Sequence, residues 1–116
     1  MNESLSRIEI ITGMSKLRNL KSALSKAGVR GMTVMQVLGC GVEKGTKEYA
    51  IDEQFEMELL PKQQISIVVE TERVPEMVEM IKEELYTGHI GDGKIFVYSL
   101  DNVIRVRTGD EGVDAL

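Results

Sequence analysis

The stretch TGHIGDGKIFVYSL, Thr87 to Leu100, packs Gly88, Gly91 and Gly93 around Asp92 and runs directly into Lys94 and an apolar segment. Glycines on both sides of an aspartate free the backbone for left-handed conformations, and successive amides in such a turn converge on a concavity that holds an anion. Lys94 adds a point charge at the same spot. The pattern is not the Walker loop, which needs GxxxxGK followed by Ser or Thr and opens a helix, whereas Lys94 opens a strand. Taken alone, GDGK also suits a plain hairpin corner. Further on, Arg105 and Arg107 recur at period two (RVRTG). On a strand that spacing projects both from one face, where they can grip phosphate oxygens together or serve as surface ion pairs.

Other reactive side chains are few. His89 is the only histidine and sits in the glycine turn, as a phosphate neighbour or an exposed loop residue rather than a general base. Cys40 lies between two glycines, with no second histidine to activate it, and reads as a small hydrophobe. The chain is expected to be a binding protein and not an enzyme.

The elements that must position these residues follow from periodicity. Arg7 to Thr12 alternates as a strand, and Ser15 to Ala27 carries Leu17, Leu20, Leu24 and Ala27 at helical spacing, with Ser15 as N-cap and Gly28 as stop. Met32 to Leu38 and Gln64 to Glu70 are β-rich. In RVPEMVEMIKEELYTG, Pro75 fits a first helical turn, Val74, Met77, Val78, Ile81 and Leu85 line one face, and Gly88 closes the end. Lys94 to Ser99 is the last long strand and Val103 to Val106 a short one. Two βαβ halves in this order predict an α+β, ferredoxin-like split βαβ-βαβ sandwich, a single domain over 1–116. Helices then cover one sheet face. Apolar residues on both faces of the strands, Met35 and Val37 beside Val34 and Leu38, and Val68 between Ile67 and Val69, predict that the second face is buried between subunits.

Composition narrows the class. A 116-residue chain, 42% hydrophobic, is long enough for an ordinary core without staples. One cysteine forms no internal disulfide, and no N-terminal apolar run resembles a signal peptide or a membrane span, so a cytoplasmic protein without membrane insertion is expected. A net charge of -5 lacks the basic footprint of nucleic-acid binding. The connection between the halves, 42–59, holds Glu43, Glu48, Asp52, Glu53, Glu56 and Glu58 against Lys44 and Lys47. A connection of that length in so small a domain is a functional loop, and Tyr49, Ile51 and Phe55 among the acids suggest a projecting arm that docks on a partner's basic surface.

The run TGHIGDGKIFVYSLDNVIRVRTGDEG, with GVRGMTV at 28–34, GCGVEKG at 39–45 and LLPK at 59–62, resembles the PII signal-transduction family in order and spacing along nearly the whole chain. The resemblance implies a homotrimer of ferredoxin-like subunits that binds ATP or ADP in clefts between neighbours and engages a target, often an ammonium transporter, otherwise another transporter or a metabolic enzyme, through the long loop. By that resemblance Gly91, Asp92, Gly93 and Lys94 wrap the phosphates, joined by Arg105 and Arg107 of the adjoining subunit. Gly39 and Gly41 let the backbone approach the nucleotide, Gly31, Met32, Thr33 and Val68 line the adenine and ribose, and Thr87 ends the site. Lys62 is implied to contact 2-oxoglutarate at the loop base.

The chain departs from the family at that base. Where G-F-G-R-Q-K-G is usual, Val42 replaces an arginine and Glu43 the glutamine that helps ligate the magnesium bridging ATP and 2-oxoglutarate. A carboxylate still binds magnesium, but two like charges about 4 Å apart cost up to ~4 kcal/mol at an effective dielectric near 20. The expectation is an energy sensor with a weak or absent 2-oxoglutarate response. Ser66 stands for the usual glutamate, and Phe55 for the tyrosine that is uridylylated in relatives. Two other readings stay open: a standard nitrogen regulator that binds ATP, magnesium and 2-oxoglutarate, and a small trimeric metabolite or metal responder that binds no nucleotide.

Overall fold

The computed structural model describes residues 4–41 and 58–116; side chains are described for the same residues except Gly41 and Glu58. Strands β1 (Leu5–Thr12), β2 (Thr33–Gly41), β3 (Glu58–Glu70) and β4 (Lys94–Leu100) form one antiparallel sheet in the order β2-β3-β1-β4. Helices α1 (Leu17–Lys26) and α2 (Val74–Leu85) cover one face of it. This is the expected ferredoxin-like arrangement.

Alternation along β1 sends Ser6, Ile8, Ile10 and Thr12 into the helix-covered side. Register then determines the other strands: Ile8 pairs with Ile67 and Val97, and Ile10 with Ile65 and Ile95. The helical stripes meet these residues with Leu20 and Leu24 from α1 and Met77, Ile81 and Leu85 from α2, all buried. Pro75 stands in the first turn of α2, where its missing N–H costs no hydrogen bond. Arg73, just ahead of α2, donates from Nη2 to the Ala27 carbonyl at 2.7 Å and so ties the end of α1 to the start of α2.

Several boundaries differ from the sequence reading. Ser15 does not cap α1: a 3-10 turn, Met14–Lys16, comes first and no side chain caps the helix. Gly28 does end α1, at φ +87° with its amide on the Ser25 carbonyl. Gly88 does not close α2, because Tyr86 already leaves the helix in an extended conformation. Strand β3 extends back to Glu58, so Glu58 and Leu59 belong to the sheet and not to the connection. Val103 to Val106 is not a strand. Only an isolated bridge, Ile104 to Glu111, forms there, and the chain folds at once into a tight hairpin.

The helix-free face is also more polar than the strand patterns suggested. The expected apolar residues are there, with Met35 opposite Gln64 and Val68 opposite Arg7. Beside them Glu9 accepts from Gln64 at 3.2 Å and from Tyr98 at 3.2 Å, and Arg7 lies 4.4 Å over the Tyr98 ring.

Candidate functional site

The glycine turn before β4 is built by its own aspartate. The Asp92 carboxylate accepts from the Thr87 amide at 2.8 Å, from the Gly88 amide at 3.1 Å and from the Thr87 hydroxyl. Those bonds, the hydroxyl first and then the amides, hold Asp92 below the usual carboxylate pKa, with Lys16 adding a smaller electrostatic effect. The Asp92 carboxylate thus serves the turn together with the Thr87 and Gly88 amides, while the His89 amide donates to the Thr87 hydroxyl at 3.2 Å. Gly88, Gly91 and Gly93 take φ of +83°, +100° and +115°. At Gly93 space matters as much as conformation: a Cβ there would collide with the Ile11 carbonyl oxygen and come within 3.1 Å of the Thr12 Cβ. The Thr12 hydroxyl locks the turn to β1 by donating to the Asp92 carbonyl at 2.9 Å.

The same end of the sheet gathers Lys62 and Gly39. Lys62 crosses from β3 over Gly39, where an added Cβ would stand 3.0 Å from the lysine Cγ, and its Nζ reaches to 4.0 Å from the Cβ position of Gly91. One extended side chain therefore links β2, β3 and the turn. Gly39, Lys62, Gly91, Gly93 and Lys94 form a cationic, glycine-lined corner. Gly41 follows on the same strand.

Gly31, Met32, Thr33 and Val68 lie elsewhere. They line a cleft of about 720 Å³ at the other end of β2, together with Ser66 and the C-terminal residues Val113 and Leu116. Six strand steps separate Thr33 from Gly39, about 20 Å at ~3.3 Å per residue. The cleft reaches along β2 as far as Met35, four strand steps or about 13 Å from Gly39.

Arg105 belongs to the cleft end, since its Nη2 donates to the Leu116 carbonyl at 2.7 Å. The period-two argument for Arg105 and Arg107 fails with the missing strand. Arg105 sits at the base of a hairpin closed by its own amide on the Asp110 carbonyl (2.9 Å) and by the Gly109 amide on the Arg105 carbonyl (2.8 Å), whereas Arg107 lies in the exposed turn. Thr87 is an anchor of the turn. Val42, Glu43, Tyr49, Ile51 and Phe55 lie outside the described residues.

Comparison with known proteins decides the family. The profile of the family described as Nitrogen regulatory protein P-II matches residues 5–110. This chain belongs to the P-II family. A P-II protein of Pasteurella multocida is 44% identical over 112 residues, covering 97% of this chain and all of the relative, and a P-II protein of Methanothermobacter thermautotrophicus is 41% identical over 114 residues, covering 98% of this chain and 99% of the relative. Among solved structures, the B. subtilis GlnK-ATP complex superposes with a TM-score of 0.84 at 38% identity, covering all of this chain and 99% of that one. Arabidopsis thaliana PII bound to citrate gives 0.77 at 35% identity, covering 98% and 94%.

Sequence reasoning missed several residues of this candidate site. Thr12 and the Thr87–Asp92 bonds carry no motif of their own, and Val113 and Leu116 reach the cleft only because a 3-10 turn, Gly112–Ala115, folds the C-terminal segment back. The glycine pattern at 112, with φ +66°, was the one available signal.

Proposed function

We propose that the protein is a PII-type signal transducer that binds ATP and ADP between the subunits of a homotrimer and reports the energy state to a target transporter or enzyme through the connection between β2 and β3. The observation that carries this reading is the separation of the two half-sites. The anion-binding corner at Gly39 and the Thr33 end of the cleft, where Arg105 lies, stand about 20 Å apart at strand rise, and a copy's corner placed against a neighbour's cleft makes one complete site. Peptide amides at positive-φ glycines, Lys62 and Lys94 supply phosphate contacts, and the cleft supplies a pocket for the base. The relative solved with ATP, 38% identical over the whole chain, supports the same ligand class.

The two nucleotides share the base pocket, so only contacts to the γ-phosphate bias the connection toward one conformation or another. Magnesium accompanies ATP, with Glu43 as a ligand. 2-Oxoglutarate adds little, because Glu43 brings a negative charge where an amide is usual and Val42 removes a cation. Isothermal calorimetry with ATP and with ADP tests the reading. Competitive binding near micromolar, about -8 kcal/mol, is expected; absence of heat from folded protein with either nucleotide refutes it.

A further inference from the structure

The same arginine that the nucleotide reading assigns to phosphate is already engaged within its own chain. Arg105 donates to the Leu116 carbonyl at 2.7 Å, and its Nη1 faces the Asp110 carboxylate at 3.7 Å. That carboxylate is itself held in place, because the Thr108 hydroxyl donates to it at 2.8 Å. The segment beyond is pinned by the Gly112 amide on the Val103 carbonyl at 2.9 Å, and it turns Val113, Ala115 and Leu116 into the cleft beside Gly31 and Met32. Its exposed side chains include Asp110, Glu111 and Asp114, all of the charge sign of a polyphosphate.

Resting on the nucleotide reading, we propose that residues 110–116 form an acidic strap that competes with the nucleotide for Arg105, so that binding must release the strap. Arg105 cannot give its full fork to phosphate oxygens while Leu116 holds its Nη2 and the Asp110 carboxylate stands 3.7 Å from its Nη1. A pair as exposed as Arg105 and Asp110, whose side chains are 38% and 45% accessible, is individually weak. A nucleotide with several charges therefore displaces it, and the strap sets the concentration at which that happens without blocking the site. The competition also couples occupancy to a surface change. Once displaced, the acidic residues 110–114 leave the position they hold in the free chain.

The test uses the full chain and its Asp110→Asn and Asp110→Glu variants. Calorimetry with ATP is expected to show binding tighter by about two- to fivefold for Asp110→Asn, the range set by the weakness of exposed pairs, and unchanged binding for Asp110→Glu. Amide exchange of residues 112–116 is expected to be faster in ATP-saturated protein than in free protein. Equal or weaker ATP binding by Asp110→Asn overturns the strap while leaving the nucleotide reading intact. Slower exchange at 112–116 with ATP does the same, since it makes the segment a cover over bound ligand. No heat from the unaltered chain overturns the nucleotide reading, and the competition with it.

Discussion

Gly93 is the residue with the least freedom to change. Its φ of +115° is strained for any side chain, and the Ile11 carbonyl occupies the place of its Cβ. Gly93→Ala is expected to cost at least the ~1–3 kcal/mol of a residue forced into a sparsely populated backbone region, measured by urea unfolding, and to weaken ATP binding along with it. Full stability in the alanine variant contradicts the packing described for the turn. Asp92 gives a pH prediction. Its pKa in the folded chain lies below the ordinary carboxylate value, so the turn is fully stabilised above the unfolded value near ~3.9 and loses that support as pH falls through the lower folded value. The Asp92 side-chain carboxyl carbon resonance should therefore show no titration from neutral pH down to about 5 and shift only in stronger acid; its titration at or above pH 5 refutes the assignment. The glycines could be read from sequence because positive φ leaves a residue-type signature. Asp92's carboxylate goes to Thr87 and Gly88, and no spacing rule announces that choice.

At the scale of elements, the helices and the long strands followed from period alone, since Leu20, Leu24, Met77, Ile81 and Leu85 fall on buried stripes where the spacing placed them. Ends were harder to read. A 3-10 turn ahead of α1 displaced the expected Ser15 cap, and the Arg105–Asp110 hairpin replaced a strand whose β-branched residues, Val103, Ile104 and Val106, satisfied local propensity only. Truncating a stripe residue tests the core directly: Ile81→Ala is expected to cost about 2–5 kcal/mol in chemical denaturation, and a loss below 1 kcal/mol would place Ile81 outside the core. The connection between β2 and β3 carries the effector prediction. Titrating 2-oxoglutarate into protein saturated with ATP and magnesium should give weak or no binding, and Glu43→Gln should strengthen it; tight binding by the unaltered chain contradicts the charge argument.

For the whole molecule, the proposed site is divided into two halves. Strand register places the glycine corner and Lys62 at one end of the sheet and Arg105 with the cleft at the other, which no motif spacing reveals because both ends contain the same strand, β2. The polar cluster of Arg7, Glu9, Gln64 and Tyr98 on the helix-free face marks the surface on which copies of the chain are proposed to meet. Light scattering should then give three times the 12.9 kDa chain mass. Subunit complementation tests the composite site most directly. Lys94→Ala disables the corner and Arg105→Ala the cleft, and each variant alone should bind ATP poorly. Refolding the two together should create mixed trimers in which an intact corner faces an intact cleft, restoring ATP binding of unaltered affinity at about one site in each mixed trimer. If the mixture binds no better than the separate variants, the nucleotide does not sit between copies and the central claim is wrong.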